Sequence, residues 1–376
     1  MADPIHIDRF VFPSETSTLS DEEWKISVRC LDWAAALIEE RRRRAAREGA
    51  AFAVYLPAGN WDWSTRHTFE LDSAVTNQAT SFDLLMTRDR DVIRQLRLYS
   101  QAFSGYQLAT LASGDIRGWI RKRLPANLDE FLALLVHLPD PIFERWAVLA
   151  RALPQELRVP PPWKFGEMGW LVGDYIVNHD SWAYLQRIAL LHEAGILQRL
   201  SDIAKSRRPR ILEIGGGYGA LGHLVTTLIP QVRYAVIDLP ESLAFSATYL
   251  AVVKHPSRVN LPVAAGDIDA QADLCMSPNF LLPDVAKHFG PFDLVINTNS
   301  LHEMTEAQVH SYCGAVAGAM ASGGQFFEQN ADGMANGVPS GLPDLIARHF
   351  PKRTPCPSTL VGPGFVSGPA RIWSMA

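Results

Sequence analysis

Apolar positions recur at helical spacing up to about residue 205, and the period changes from residue 210 onward. Trp24, Val28, Leu31, Ala35 and Ile38 predict a helix that opens at Asp21-Glu22-Glu23 and runs out through Arg41-Arg42-Arg43-Arg44 to Gly49. Consecutive helical residues point in different directions, and Glu39, Glu40 and Glu48 offset the four arginines. That run therefore reads as a solvated helix end rather than a phosphate patch. Further helices are predicted over Phe82–Tyr99, Leu128–Leu138, Ile142–Leu153 and Trp182–Leu200, punctuated by Pro139-Asp140-Pro141 and Pro160-Pro161-Pro162.

Beyond residue 210 short apolar runs alternate with helical stretches. Arg210–Ile214, Arg233–Ile237, Pro291–Asn297 and Gly324–Glu328 read as strands, and Gly219–Leu228, Pro240–Val253 and Thr305–Met320 as helices. This alternation predicts an α/β fold with a mostly parallel sheet covered on both faces, and Arg371–Ala376 has room to be its terminal strand. The basic, Pro-containing stretch Lys205–Pro209 divides a mainly helical region, 1–205, from an α/β domain, 206–376.

Composition narrows the partners. The chain has 376 residues, 47% of them apolar, and 35 Lys+Arg stand against 40 Asp+Glu for a net charge of −5. That is globular composition, long enough for two cores. Neither half is basic, so a nucleic-acid partner has no electrostatic support. No run of 18 apolar residues predicts a membrane span, and the opening Met1-Ala2-Asp3-Pro4 does not read as a secretory leader. Cys30, Cys275, Cys313 and Cys356 are scattered, which favours reduced thiols in a cytoplasm. The expected partner is a small molecule.

The sharpest motif is Ile211-Leu212-Glu213-Ile214-Gly215-Gly216-Gly217-Tyr218-Gly219-Ala220, an apolar strand running into glycines and then a helix. Glycines let the backbone turn tightly and let a ligand approach where a Cβ would clash. Taken alone, Gly215-x-Gly217-x-x-Ala220 also fits a dinucleotide fingerprint. Glu213 argues otherwise. A carboxylate at the strand tip disfavours a pyrophosphate but suits a ligand with an ammonium group and a sulfonium charge. Asp238, in Val236-Ile237-Asp238-Leu239, ends the second strand, where it can accept both ribose hydroxyls of a nucleoside. Asp267, in Gly266-Asp267-Ile268, is expected to follow the third strand and to receive an adenine amino group.

This set resembles the S-adenosylmethionine site of class I methyltransferases. The run Glu213–Gly219, then Ile237-Asp238-Leu239-Pro240-Glu241, then Asn297-Thr298-Asn299-Ser300-Leu301-His302-Glu303-Met304 is similar to the sugar O-methyltransferases over roughly residues 170–330. The resemblance implies S-adenosylmethionine as cofactor, held by Glu213, Gly215, Gly217, Gly219, Asp238, Leu239, Asp267, Ile268 and Asn297. It also implies a Rossmann-like, seven-stranded sheet whose last strand, Arg371–Met375, is antiparallel. Residues 1–205 would then cap the acceptor and offer a candidate homodimer interface.

Methyl transfer to oxygen needs a group that takes the acceptor's proton. His302 lies just past the strand ending at Asn297, at the carboxyl end of the sheet where open α/β folds bind ligands. Leu301-His302-Glu303-Met304-Thr305-Glu306 is similar to a stretch of plant-type small-molecule O-methyltransferases whose histidine is the catalytic base. In that family a glutamate at the end of the next strand orients the histidine, which implies that role for Glu328. His179, His192 and His223 read as packing residues, as does the aromatic cluster Trp61-Asp62-Trp63 with His67. Asp267, Asp269, Asp273 and Asp293 share no short ligand motif, so no metal is expected. The alternatives are a phenolic or polyketide O-methyltransferase, an N-methyltransferase, and a non-methylating protein that binds the same cofactor.

Overall fold

The computed structural model describes residues 5–58, 61, 78–100, 141–254, 259–333, 341–356, 358 and 368–375. The helix expected at 128–138 lies outside these residues, as do Asp62, Trp63 and His67 of the aromatic cluster.

The α/β alternation forms one large sheet. Its strands are β4 (Arg210–Ile214), β5 (Arg233–Asp238), β6 (Val259–Asn260), β7 (Leu274–Pro278), β8 (Phe292–Thr298), β9 (Met320–Gln329), β10 (Lys352–Pro355) and β11 (Ala370–Ser374). Their spatial order is β10-β11-β9-β8-β4-β5-β7-β6. All neighbours from β9 to β6 pair parallel; β11 runs antiparallel to β9 and β10 antiparallel to β11. β4 therefore sits in the interior, flanked by β5 and β8. The sheet has eight described strands rather than seven, and its edges are the exposed Lys352–Pro355 and the two-residue Val259–Asn260. Strands buried on both faces need apolar side chains throughout, and β8 and most of β5 are buried along their length.

The sheet separates two apolar layers. One holds Leu212, Ile214, Val295, Leu301 and Phe326 with the helices Leu282–His288 and Glu306–Ala317. The other runs from Ile211, Val236 and Ile296 into the helical region, through Leu31, Leu37 and Phe52 of the long helix Asp21–Glu48 and the turn after it. That helix opens on a capping box between Ser20 and Glu23. Arg41, in the four-arginine run, makes a bidentate pair with Glu241 at the start of the helix Pro240–Lys254. Arg42 and Arg43 stay on the exposed side with Glu39 and Glu40.

Several expected elements are broken differently. The segment predicted as one helix from Phe82 to Tyr99 is three short ones, Gln78–Met86, Arg90–Ile93 and Leu96–Tyr99. The helix expected over Trp182–Leu200 is two, His179–Glu193 and Ile196–Ala204, separated by Gly195 at φ 70°. The helical half also contains a small antiparallel sheet made of β1 (Arg9–Val11), β2 (Gly169–Val172) and β3 (Tyr175–Val177). At the expected boundary Arg207 forms a bidentate pair with Asp293, and Arg208 reaches Asp273, which ties this stretch to the amino ends of the sheet strands. Among the described residues no helix is long and apolar enough to cross a membrane.

Candidate functional site

The carboxyl ends of β4, β5 and β8 bring together the glycine loop, Glu213, Asp238 and His302. Gly215, Gly217 and Gly219 take φ values of 77°, 55° and 99°, conformations that side chains with a Cβ rarely adopt. Space is as restrictive as backbone at Gly215, where an added Cβ would lie 2.3 Å from Ser300 Oγ. Gly219 caps the helix Ala220–Leu228 and abuts Leu250 at 2.9 Å by the same construction. Gly215→Ala is therefore expected to push Ser300 and its neighbour His302 out of place. It should also cost about 1–3 kcal/mol of stability, readable as a lowered melting temperature.

Glu213 is 3% exposed and accepts a hydrogen bond of 2.9 Å from Tyr234 Oη. Burial pushes its carboxyl up to about 7, against the pull of Tyr234 and Arg187, and the nearby Asp238 adds to the rise. Asp238 accepts from its neighbour's amide, Leu239 N, at 2.7 Å. Burial likewise pushes it up to about 7, opposed by the amides of Leu239, Gly217 and Gly216. A buried and a half-buried carboxyl group beside a glycine turn form a cradle that gains from a cation and from hydroxyl donors. This is the chemistry an ammonium, a sulfonium and a ribose would supply.

Asp267 does not join them. It lies in the exposed turn Ala265–Asp267, where its carboxylate accepts from Val263 N at 3.1 Å and Ala264 N at 2.9 Å. The strand beside β5 is β7, and Asp267 with Ile268 precedes it rather than following it. The residue that does follow β7 is Asn279, buried, with its amide donating to Tyr55 O at 2.9 Å. Asp269, Asp273 and Asp293 are spent on backbone amides or arginines. Among the described residues no three His, Cys, Asp or Glu side chains are grouped to hold a metal ion.

His302 sits half-buried in the short turn Leu301–Glu303 after β8. The chain enters that turn through Asn299 at φ 61°, a left-handed conformation that asparagine tolerates better than most residues. His302 Nδ1 meets Asn330 Oδ1 at 3.2 Å, and Asn330 Nδ2 meets Glu328 Oε2 at 2.9 Å. Glu328 is thus one residue removed from the histidine it was expected to orient. Its other oxygen takes Arg371 Nη1 at 2.8 Å, and burial raises its carboxyl despite that guanidinium. Asn297, expected to touch the cofactor, is fully buried under the loop. There its Nδ2 donates to Ile214 O at 2.8 Å, and its Oδ1 accepts from Asn330.

Besides the Asn279–Tyr55 bond, the helical region also reaches this end of the sheet near His302. Leu56 O accepts from Gln308 Nε2 at 2.8 Å, and Trp61 Nε1 donates to Glu303 Oε2 at 2.7 Å, next to His302. On the other side of the loop, the guanidinium of Arg97 lies 3.7 Å over the Tyr218 ring. It pairs with Glu167 at 2.6 Å and Asp180 at 2.7 Å, all three buried. A small cleft beside this network is lined by Pro161, Pro162, Tyr184, Tyr218 and His223, and includes none of the His302 cluster. Burial lowers His223 to about 4, so it stands there as a neutral ring.

No sequence-family profile matches the chain, and no curated protein matches it. Solved structures do. An O-methyltransferase family protein from Burkholderia thailandensis is similar at 13% identity and a TM-score of 0.32, over 53% of this chain and 61% of that one. The N-methyltransferase NodS from Bradyrhizobium japonicum WM9, solved with S-adenosyl-L-homocysteine, is similar at 17% identity and a TM-score of 0.32, over 52% and 91%. Precorrin-6y C5,15-methyltransferase from Geobacter metallireducens GS-15 is similar at 14% identity and a TM-score of 0.29, over 43% and 73%. The chain thus spans about three fifths of the Burkholderia protein's length. At this identity and overlap, the reading of the site rests on its own residues.

Proposed function

We propose that the chain is an S-adenosylmethionine-dependent O-methyltransferase acting on a hydroxyl of a sugar or glycosylated natural product. The observation that carries this is the convergence of two carboxyl groups, buried Glu213 and half-buried Asp238, with a left-handed glycine turn and a histidine at one end of a parallel sheet. Glu213 would face the cationic amino acid end of the cofactor. Asp238, with Leu239 beside it, would take the ribose hydroxyls, and Gly215, Gly217 and Gly219 would let the ligand lie against the backbone. When bound, S-adenosylmethionine supplies an electrophilic methyl group.

The chain's own work is on the acceptor. His302 takes the hydroxyl proton as oxygen becomes bonded to carbon, and the residues around the ring hold it in place. Residues 1–205 would act as a cap over the acceptor, a role supported by the contacts of Leu56 and Trp61 with the segment that carries His302. The sugar assignment draws on the sequence resemblance over Asn297–Met304. Calorimetry with S-adenosylmethionine, its demethylated product and NAD tests the cofactor: tight binding of the first two is expected, and binding of NAD alone would refute the proposal. A screen of sugar, phenolic and amine acceptors for a one-methylene mass gain then tests the acceptor class.

A further inference from the structure

We propose that Asn330, rather than Glu328, positions His302 for proton transfer, by fixing which ring nitrogen carries the hydrogen. This deepens the reading of His302 as the base and rests on it. The argument starts from a backbone atom whose polarity admits no choice. Ile214 O, at the end of β4, can only accept, so the side-chain nitrogen of Asn297 must face it, at 2.8 Å. Asn297 Oδ1 then points the other way, where Leu301 N at 3.3 Å and Asn330 Nδ2 at 2.9 Å both donate to it. Asn330 Nδ2 spends its second hydrogen on Glu328 Oε2 at 2.9 Å.

Turning the Asn330 amide over would set its oxygen against both Glu328 Oε2 and Asn297 Oδ1, out of reach of bulk solvent. Asn297, Glu328 and Asn330 are each 0% exposed. Asn330 Oδ1 is therefore left as an acceptor, and it faces His302 Nδ1 at 3.2 Å. In the neutral ring the hydrogen sits on Nδ1, and the lone pair sits on Nε2, free for an acceptor hydroxyl.

The neighbouring charges explain why an amide serves here. Glu328 and Asp332 both pair with Arg371, with Trp373 Nε1 also donating to Glu328, and Glu303 is held by Trp61. The neutral amide passes on the direction of the hydrogen-bond chain without placing a carboxylate on the ring itself. Glu328 and Asn330 are two residues apart at the end of β9, so Asn330 lies between acid and ring where a direct pair was expected.

Nitrogen-15 NMR of the ring nitrogens in histidine-labelled protein tests this, with the His302 signal assigned by its loss in His302→Ala. The wild-type ring is expected to be protonated on Nδ1. Asn330→Ala should shift the ring toward the Nε2-protonated form and lower kcat about 10–100-fold, with KM for the acceptor and cofactor affinity little changed. A wild-type ring protonated on Nε2 would overturn the proposal without need of any variant. So would an Nδ1-protonated ring that survives Asn330→Ala. If the tautomer responds as expected while His302→Ala retains turnover, the hydrogen-bond chain stands and the base reading falls.

Discussion

His302→Ala is expected to leave cofactor affinity almost intact while lowering turnover about 10²–10⁴-fold, the usual contribution of a positioned base. The separation follows from where the residue sits. Glu213 accepts from Tyr234 and Asp238 from Leu239 N, and neither of these bonds involves a residue of the Leu301–Glu303 turn. Truncating the imidazole removes a half-buried ring whose ring contact is Asn330, so the fold should tolerate it. Steady-state kinetics paired with calorimetric cofactor binding reads both. Near-normal turnover of His302→Ala would hand the proton to another group, and lost cofactor binding would make the residue a structural one.

The α/β frame was legible because strands buried on both faces must be apolar runs, and their ends are marked by glycine or by an acid. Arg210–Ile214 and Arg233–Ile237 carry that signature, Pro291–Asn297 carries the apolar run, and all three are strands of the central sheet within a residue or so of their expected limits. The third strand was harder. β7 reads Leu-Cys-Met-Ser-Pro, short and weakly patterned, and it pairs between β5 and the two-residue β6 that Asp267 follows in the chain. What periodicity could not reveal was pairing at long range. β1 pairs with β2 some 160 residues onward (Arg9 with Leu171), and Arg97 meets Glu167 and Asp180 across 70 and 83 residues. Asn330 left a fainter trace. Strand side chains alternate in period two, so a residue two places beyond Glu328 continues along the same face. The chain-end resemblance that singled out Glu328 stopped one such step short of the residue that touches the ring.

Binding of S-adenosylmethionine should strengthen as pH rises toward about 7 and then level off, and it should release protons on the way. Glu213 and Asp238 are both pushed up to about 7, chiefly by burial, so the free protein holds them largely protonated at pH 6. A cation beside Glu213, and ribose hydroxyls donating to Asp238, favour the ionised forms, so occupancy expels the protons. Below pH 7 each such group should cost about tenfold in affinity per pH unit, and two together at most about a hundredfold. The sign for stability is the reverse in the free protein. Carboxyl groups whose folded values exceed their unfolded ones contribute stability at low pH that is lost as pH climbs from about 4 to about 7. The thermal shift produced by the cofactor should therefore be larger at pH 8 than at pH 6. Asp238→Ala should remove its share of the pH dependence and weaken binding by about 1.5–3 kcal/mol per hydrogen bond to the charged group, before water compensates. Titrations in two buffers of different ionisation enthalpy count the protons directly. Affinity that ignores pH, with no protons released, would mean that neither carboxyl group faces the ligand. NAD, which brings a pyrophosphate, should bind more weakly as the two acids ionise, so the slope of affinity with pH separates the two ligand classes on this one site.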